Sequence, residues 1–504
     1  MATIYQNLQT LISRQEKLNF NFSLFVQENI TRSWWLTLWL LILTFITIRV
    51  TISQLVAAPV ITAVVLIIWL LSIGMVVLNE VTRQHTNISL WLKENLYNSI
   101  TNTQLTLILT LLIIAGLRAF YAYAWVNASF ETDPEIAAQL EFTGANWGAV
   151  IANMRNLMVF RFPKEETWRI WASLALIIVL GIPSVYIYQQ QKYRRSKIRS
   201  ALTFLWILSP IIIFFLLRGI NEENPLLPQV NPDVAWGGLM LTIIISIFAI
   251  VVSFPLGVLL ALGRRSKIRG IPAWLTWTVA LGFTVWGLIY STPPNLAAAR
   301  STSEELLSYW PLAIPIVAFL FQRYFNGNVV AAFSTIYIEV VRGVPLITVL
   351  FMAIILFPIF LPPGMQILNT WRVLAGFALF SAAYLAENVR GGLQAIPKGQ
   401  YEAADSLGLT TFQKYRLIIL PQALRIVIPA IVGQFIGLFK DTSLVAIVGL
   451  FDLLNVANTI AAQPQWLGVR REAYIFIAVI YYIGSAVMTG YSRRLEARLG
   501  VGER

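Results

Sequence analysis

Apolar residues along this chain fall in runs of roughly 18 to 25 positions without a charge, the length a helix needs to cross about 30 Å of hydrocarbon. Twelve such runs can be drawn, near 34–52, 55–78, 104–123, 168–188, 201–219, 236–263, 273–290, 306–322, 345–362, 371–388, 426–448 and 472–491. The pattern predicts an all-α, polytopic transmembrane helical protein of about twelve spans.

The polar stretches between the runs carry a sign. Lys192, Arg194, Arg195, Lys197 and Arg199 form one basic cluster, Arg264, Arg265, Lys267 and Arg269 a second, and Arg493, Arg494 and Arg498 a third. The positive-inside bias assigns all three to the cytoplasm. Segments 124–167 and 220–235 hold Glu131, Asp133, Glu135, Glu141, Glu222, Glu223 and Asp233 and read as outward-facing. Twelve crossings put every loop on its own side, with both termini cytoplasmic. The chain divides into an extra two-span segment (1–90), a three-span segment with a large periplasmic loop (91–235) and a working core (236–504) with a two-span insertion near 270–330.

Composition narrows the chemistry. Of 504 residues 57% are hydrophobic and 12% charged, about half the charge of an ordinary soluble domain. The net charge of +13 does not imply nucleic acid, because its basic residues sit in short loops and not on one surface interleaved with aromatics. There is no cysteine, and His85 is the only histidine, which excludes disulfides, thiolate sites, histidine metal clusters and Ser-His-Asp triads. No loop gathers a nucleophile with a base, so an integral membrane enzyme is disfavoured. Arg14, Glu16 and Lys17 stand well ahead of the first apolar run, unlike a cleaved secretory signal, and the first span is expected to be retained.

One cytoplasmic loop, IPKGQYEAADSLGLTTFQKYRLIILPQALR (396–425), carries more information than a connector needs. Gln400 to Leu407 has the length of two helical turns, Gly408 suits the left-handed position past a helix end, and Thr410 with Gln413 has capping-box spacing for a second short helix closed by Pro421. Ala403 and Ala404 would let another surface approach the backbone closely, while Glu402 and Asp405 offer charges to it. A helix this short is not held by propensity alone and needs something to dock on.

Glu402-Ala403-Ala404, Gly408 and Ile418-x-Leu420-Pro421 resemble, in order and spacing, the signature of the permease subunits of binding-protein-dependent ABC importers, with a type I importer core. WGGLMLT (236–242), YIEVVRGVPLITVLF (337–351), AAYLAENVRGGLQAIPKGQYEAADSLG (382–408) and FKDTSLVAIVGLFDLL (439–454) are similar to the polar and general amino-acid branch, which includes the histidine and glutamine permeases. VRGVPLITVLFM and WLKENLYNSITNTQLTL (91–107) are most like the second of two unlike permeases in general L-amino-acid systems. The pattern has no place for the spans before residue 90 or for those near 273–322.

The resemblance implies that the loop, through Glu402, Ala403, Ala404, Asp405 and Gly408, couples to two copies of a cytoplasmic ATPase. ATP and Mg would be held by that partner and no cofactor by this chain, which has no GxxxxGK[ST] loop. It further implies a second homologous permease, as a heterodimer, a periplasmic amino-acid-binding protein, and membrane lipid around the spans, with no nucleic acid. Within the spans each ionisable group asks for a reason, at about 2.5 to 3.5 kcal/mol each. Glu387, Asp441, Thr442 and Ser443 are the candidates for a polar substrate path, acidic groups answering an ammonium and hydroxyls or Lys440 a carboxylate. Pairing of Lys440 with Glu387 to fix packing is the simpler alternative. An ABC permease for another small polar solute and an ion-driven secondary transporter are the rival functions, the latter calling for repeats that are not visible here.

Overall fold

The computed structural model describes residues 100–499 almost continuously, except 141, 194–195 and 268–269, and only scattered positions before residue 100. The runs expected near 34–52 and 55–78 therefore fall largely outside the described residues. Two compact units are present, 1–128 and 129–504. In the first, α1 (Ile100–Tyr121) continues through a π-turn to Val126. Its Leu105, Ile108, Leu112, Leu117 and Phe120 are exposed, as befits a helix solvated by lipid.

The second unit begins with α2 (Pro134–Gln139), α3 (Trp147–Ala152) and α4 (Met154–Val159), then the antiparallel pair α5 (Thr167–Gln189) and α6 (Lys197–Arg218), and the short α7 (Pro232–Ala235). The long α8 (Gly238–Arg264) follows, then α9 (Ala273–Tyr290), α10 (Thr292–Ala298), α11 (Thr302–Ser308) and α12 (Ala313–Phe325). After α13 (Val329–Gly343) the chain turns by 108° at Val344-Pro345 into α14 (Leu346–Phe351), which π and 3-10 turns extend to Phe360. The remainder is α15 (Asn369–Ala395), α16 (Lys398–Ser406), α17 (Thr411–Lys414), α18 (Leu420–Asp441), α19 (Leu453–Ala461) and α20 (Arg470–Leu499).

Among the described residues seven helices are long and apolar enough to cross a membrane, or nine if two bent pairs each count as one span. Helix α15 is not among them. It carries Arg372, Glu387 and Arg390 and many small residues, and it packs against α8, α13 and α18. A helix shielded by protein does not need the apolar perimeter that lipid demands.

Small residues bring this core together. Gly257 and Ala261 of α8, Ala378, Ala382, Ala383 and Ala386 of α15 and Ala423 of α18 lie at or near the contacts. Polar groups add hydrogen bonds. Gln434 of α18 donates to Ser381 O at 2.9 Å and accepts from Asn388 Nδ2 at 2.8 Å. The first turn of α15 has no cap of its own; Asp233 supplies one from far away in sequence, accepting from Asn369 N and Thr370 N, both at 2.8 Å, and from Thr370 Oγ1 at 2.6 Å. The carboxylate satisfies orphan donors at the positive end of the helix dipole.

At that same end α4 closes over the core. Leu157 and Phe160 pack with Leu453, Val456 and Ile460 of α19 and with Ala473 and Ile477 of α20. The inserted segment is different in kind: α9 and α12 pack on each other, and its base is stitched shut. Ile271 N donates to Gly327 O at 2.9 Å, Gln322 Nε2 to Ile271 O at 3.1 Å, and Asn328 Nδ2 to Ser266 O at 3.0 Å.

Candidate functional site

The loop between α15 and α18 folds as helix, turn, helix. Pro397 precedes α16, Gly408 takes φ +68° just past its end, and Thr410 and Gln413 form the reciprocal capping box, Gln413 N to Thr410 Oγ1 at 3.3 Å and Thr410 N to Gln413 Oε1 at 2.9 Å. Two ties hold α16 down. Lys414 Nζ meets Asp405 Oδ1 at 2.5 Å, and Tyr401 donates to Leu393 O at 2.9 Å.

Two expectations need correction. Ala404 is 1% exposed and packs into the protein, so the outward face is Glu402, Ala403 and Asp405, flanked by Leu407 and Phe412, which are 74% and 70% exposed. Those apolar side chains escaped the sequence reading, although a Leu and a Phe beside a helix of polar and small residues were a signal. Pro421 does not end a helix either: a π-turn over Tyr415–Ile419 joins α17 to α18, with Pro421 in the first turn of α18. The proline lacks the N–H an interior helical residue would donate, and the π-turn in the turn before it is where the ladder is locally rearranged.

Beside this loop five charged side chains from three helices meet around Glu387. Arg390, one turn on, grips it through both nitrogens, Nε to Oε2 at 2.9 Å and Nη2 to Oε1. Arg342 Nη1 of α13 approaches Oε2 at 3.5 Å and Arg264 Nη1 of α8 at 3.6 Å, while Arg264 Nη2 meets Glu339 Oε1 at 2.7 Å. Three guanidiniums face two carboxylates. Glu387 is thus engaged by arginines, and Lys440 is not its partner.

Toward the other end of α18, Lys440 is exposed and makes no ion pair among the described residues, and Asp441 is half-buried. Thr442 is fully buried, donating to Phe439 O at 2.7 Å beside Tyr481 Oη at 3.3 Å. Ser443 donates to Lys440 O at 2.9 Å. A Cβ built on Gly433 or Gly437 meets open space, and these glycines share a helix side with Asp441. Gln434, bonded to the neighbour of Glu387, lies about 10 Å of helix rise from Asp441. The four path candidates therefore do not converge: Asp441 and Ser443 stand at one level, Thr442 behind them, and Glu387 nearer the loop.

Asp452, in the connector between the last two long spans, was not singled out from the sequence. It is fully buried and caps α19, accepting from Leu454 N at 3.1 Å and Asn455 N at 3.0 Å. Burial pushes its carboxyl up to about 7 against the pull of those bonds. Among the described residues no group of three or more His, Cys, Asp or Glu is placed to hold a metal ion.

Residues 313–501 match the family described as the binding-protein-dependent transport system inner membrane component. The chain is 35% identical over 413 residues to the inner membrane amino-acid ABC transporter permease protein YhdY of Escherichia coli K12, covering 82% of this chain and 93% of that one. It is 32% identical over 463 residues to the glutamate/glutamine/aspartate/asparagine transport system permease protein BztC of Rhodobacter capsulatus, covering 81% of this chain and 93% of that one. A crystal structure of an amino acid ABC transporter with histidines aligns at 25% identity and a TM-score of 0.35, over 52% of this chain and 92% of that chain.

Proposed function

The chain belongs to the amino-acid ABC transporter permeases, and from that premise we propose that it carries amino acids into the cell as one of two unlike permeases above a pair of cytoplasmic ATPases, supplied by a separate binding protein. The observation that carries the coupling role is the short helix α16, whose Glu402 and Ala403 face outward while Ala404 is buried, Tyr401 is bonded to Leu393 O and Asp405 is tied to Lys414. A helix of nine residues fixed in this way is a rigid knob for a partner groove, and the exposed Leu407 and Phe412 add apolar area to it.

In this reading the basic loops and both termini face the cytoplasm, and the ATPases bind ATP and Mg and perform the hydrolysis. Asp441 answers the ammonium of the solute, and Ser443 and Lys440 its carboxylate, before the solute passes toward the level of Glu387. Thr442 supports that stretch from behind.

The test is reconstitution of this chain with its ATPase, second permease and binding protein in proteoliposomes, with uptake of radiolabelled amino acid followed with and without ATP. The substitution Glu402→Arg reverses a charge on the outward face of α16 without touching the core, and uptake is expected to fall at least tenfold. Unchanged uptake would remove α16 from the coupling role, and ATP-independent uptake would remove the importer reading.

A further inference from the structure

Helix α8 ends in two consecutive arginines whose side chains part company. Arg264 reaches the charged cluster, meeting Glu339 at 2.7 Å and Glu387 at 3.6 Å. Arg265 reaches the other way, donating from Nη1 to Leu393 O at 3.1 Å and to Tyr401 Oη at 3.2 Å, with its guanidinium 5.7 Å from the centre of the Tyr401 ring. Tyr401 lies in α16, and its hydroxyl donates to the same Leu393 carbonyl. That carbonyl is in the last turn of α15, where helix acceptors have no intrahelical donor. Arg265 thus joins α16 to the ends of α8 and α15, and the next residue back along the chain joins α8 to the cluster at Glu387.

The cluster itself is built unevenly. Arg390 holds Glu387 through two nitrogens from within α15, whereas the contacts from α8 and α13 are single and long, at 3.6 and 3.5 Å. Arg264 Nη1 and Arg342 Nε are buried without a hydrogen-bond partner. At the Glu387 carboxylate the links from α8 and α13 are therefore weaker than the link from within α15, since charge-assisted hydrogen bonds are at their strongest near 2.8 Å. Three positive charges against two negative ones also leave the cluster short of a carboxylate. Such an arrangement parts between α8 or α13 and α15 before it parts inside α15.

We propose that Arg265 is a positioning residue that converts displacement of α16 into separation of α8 and α13 from α15 at the Glu387 cluster. The proposal rests on the coupling role given to α16 above. A push on α16 moves Tyr401, Tyr401 carries Arg265 through its ring and hydroxyl, and Arg264, on the adjoining peptide, is drawn from Glu387. A mere staple would hold the same atoms together but would transmit nothing.

Two measurements separate these roles. In the reconstituted complex Arg265→Ala is expected to keep the ATPase bound and basal hydrolysis within twofold, while amino acid moved per ATP hydrolysed falls about tenfold. Arg265→Lys, which keeps the cation over Tyr401 but loses the forked donors, is expected to fall between the two. Arg264→Ala added to Arg265→Ala is expected to cause little further loss, as for two residues in one link. An unchanged transport-to-hydrolysis ratio, multiplied losses in the double variant, or loss of ATPase binding in Ala and Lys variants alike would overturn the proposal. The second measurement does not depend on uptake. The chain has no cysteine, so spin labels at Val340→Cys in α13 and Leu379→Cys in α15, both exposed positions, report the separation directly. ATP is expected to shift that distance in the otherwise native complex and to leave it unshifted with Arg265→Ala. A shift that survives Arg265→Ala, or its absence without that substitution, overturns the link. Failure of uptake alone instead counts against the importer reading.

Discussion

The core helices α8, α15 and α18 and the inserted hairpin α9–α12 are both apolar and helical, yet they face opposite ways. In the core, small residues and a few hydrogen-bonded polar ones stand among buried large side chains such as Ile245, Phe377, Leu385 and Leu393, so that backbones approach closely and the large groups point inward. In the hairpin the large side chains point outward: Trp274, Phe283, Trp286, Leu306, Ile316 and Tyr324 are all more than half exposed. The contrast shows that hydropathy alone does not rank membrane helices by structural importance. Lipid is as apolar as leucine, so burying a large side chain between helices gains little, whereas fit and hydrogen bonding gain more. The most central helix, α15, is for that reason one of the least apolar.

The same substitution in the two regions breaks this comparison most sharply. A Cβ on Gly257 of α8 would stand 2.6 Å from Leu385 Cδ2 and 2.9 Å from the carbonyl of Ala382, which is backbone and cannot swing away, whereas a Cβ on Gly282 of α9 meets nothing within 4 Å. Gly257→Leu is expected to cost at least the ~1–3 kcal/mol typical of overpacking and to abolish recovery of folded protein from detergent. Gly282→Leu places a side chain in lipid and removes a helix-interior glycine worth about 1 kcal/mol of propensity, so yield and thermal midpoint should hold or rise. Equal losses at both sites would mean that the hairpin is packed against something as tightly as the core is.

Excision of the hairpin is the next largest test. Its base is already closed by the Ile271 and Gly327 pairing, and Gly327, at φ +71°, has the conformation a tight connection needs. With α9 as one crossing and the bent pair α11–α12 as a second, joining Ile271 directly to Gly327 would keep the orientation of the core. The shortened chain is expected to bind its ATPase and to transport within about threefold of the full chain. Loss of folded protein, followed by size-exclusion chromatography, would show that the hairpin supports α13.

How far the sequence carried depends on whether a feature is local. Helix occupies every apolar run expected beyond residue 100, and Gly408 and the Thr410–Gln413 box were readable because caps depend on residues a turn apart. The alternation of buried and exposed positions within α16 was not readable, because Ala403 and Ala404 are the same residue and only the tertiary contact decides which one is covered. Arg264 read as a marker of orientation and Glu387 as a candidate for the substrate path, with nothing in either to point to the other or to Glu339, Arg342 and Arg390; their meeting joins residues up to 126 positions apart, from 264 to 390. Asp233 likewise read as an outward acidic residue, while its work is to cap α15.

The smallest expected effect concerns charge buried with the core and absent from the hairpin, whose Arg300, Glu304, Glu305 and Arg323 are all exposed. Asp452 is fully buried and its carboxyl is pushed up to about 7, whereas in an unfolded chain an aspartate titrates near 3.9. Between those values the folded state holds a proton that the unfolded state has released. The stabilisation is complete below about pH 4 and is lost as pH rises through about 7. Asp452→Asn keeps one oxygen, which can accept from Asn455 N as an asparagine cap does; it gives up the bond from Leu454 N at every pH and it cannot ionise. The thermal midpoint of the native chain should therefore decline from pH 5 to pH 8 more steeply than that of Asp452→Asn, while neutralising Glu304 and Glu305 in the hairpin should leave the slope as it was. Parallel slopes for Asp452→Asn and the native chain would mean that the carboxylate stays ionised across this range, held by the two N–H groups at the start of α19 more strongly than burial opposes it.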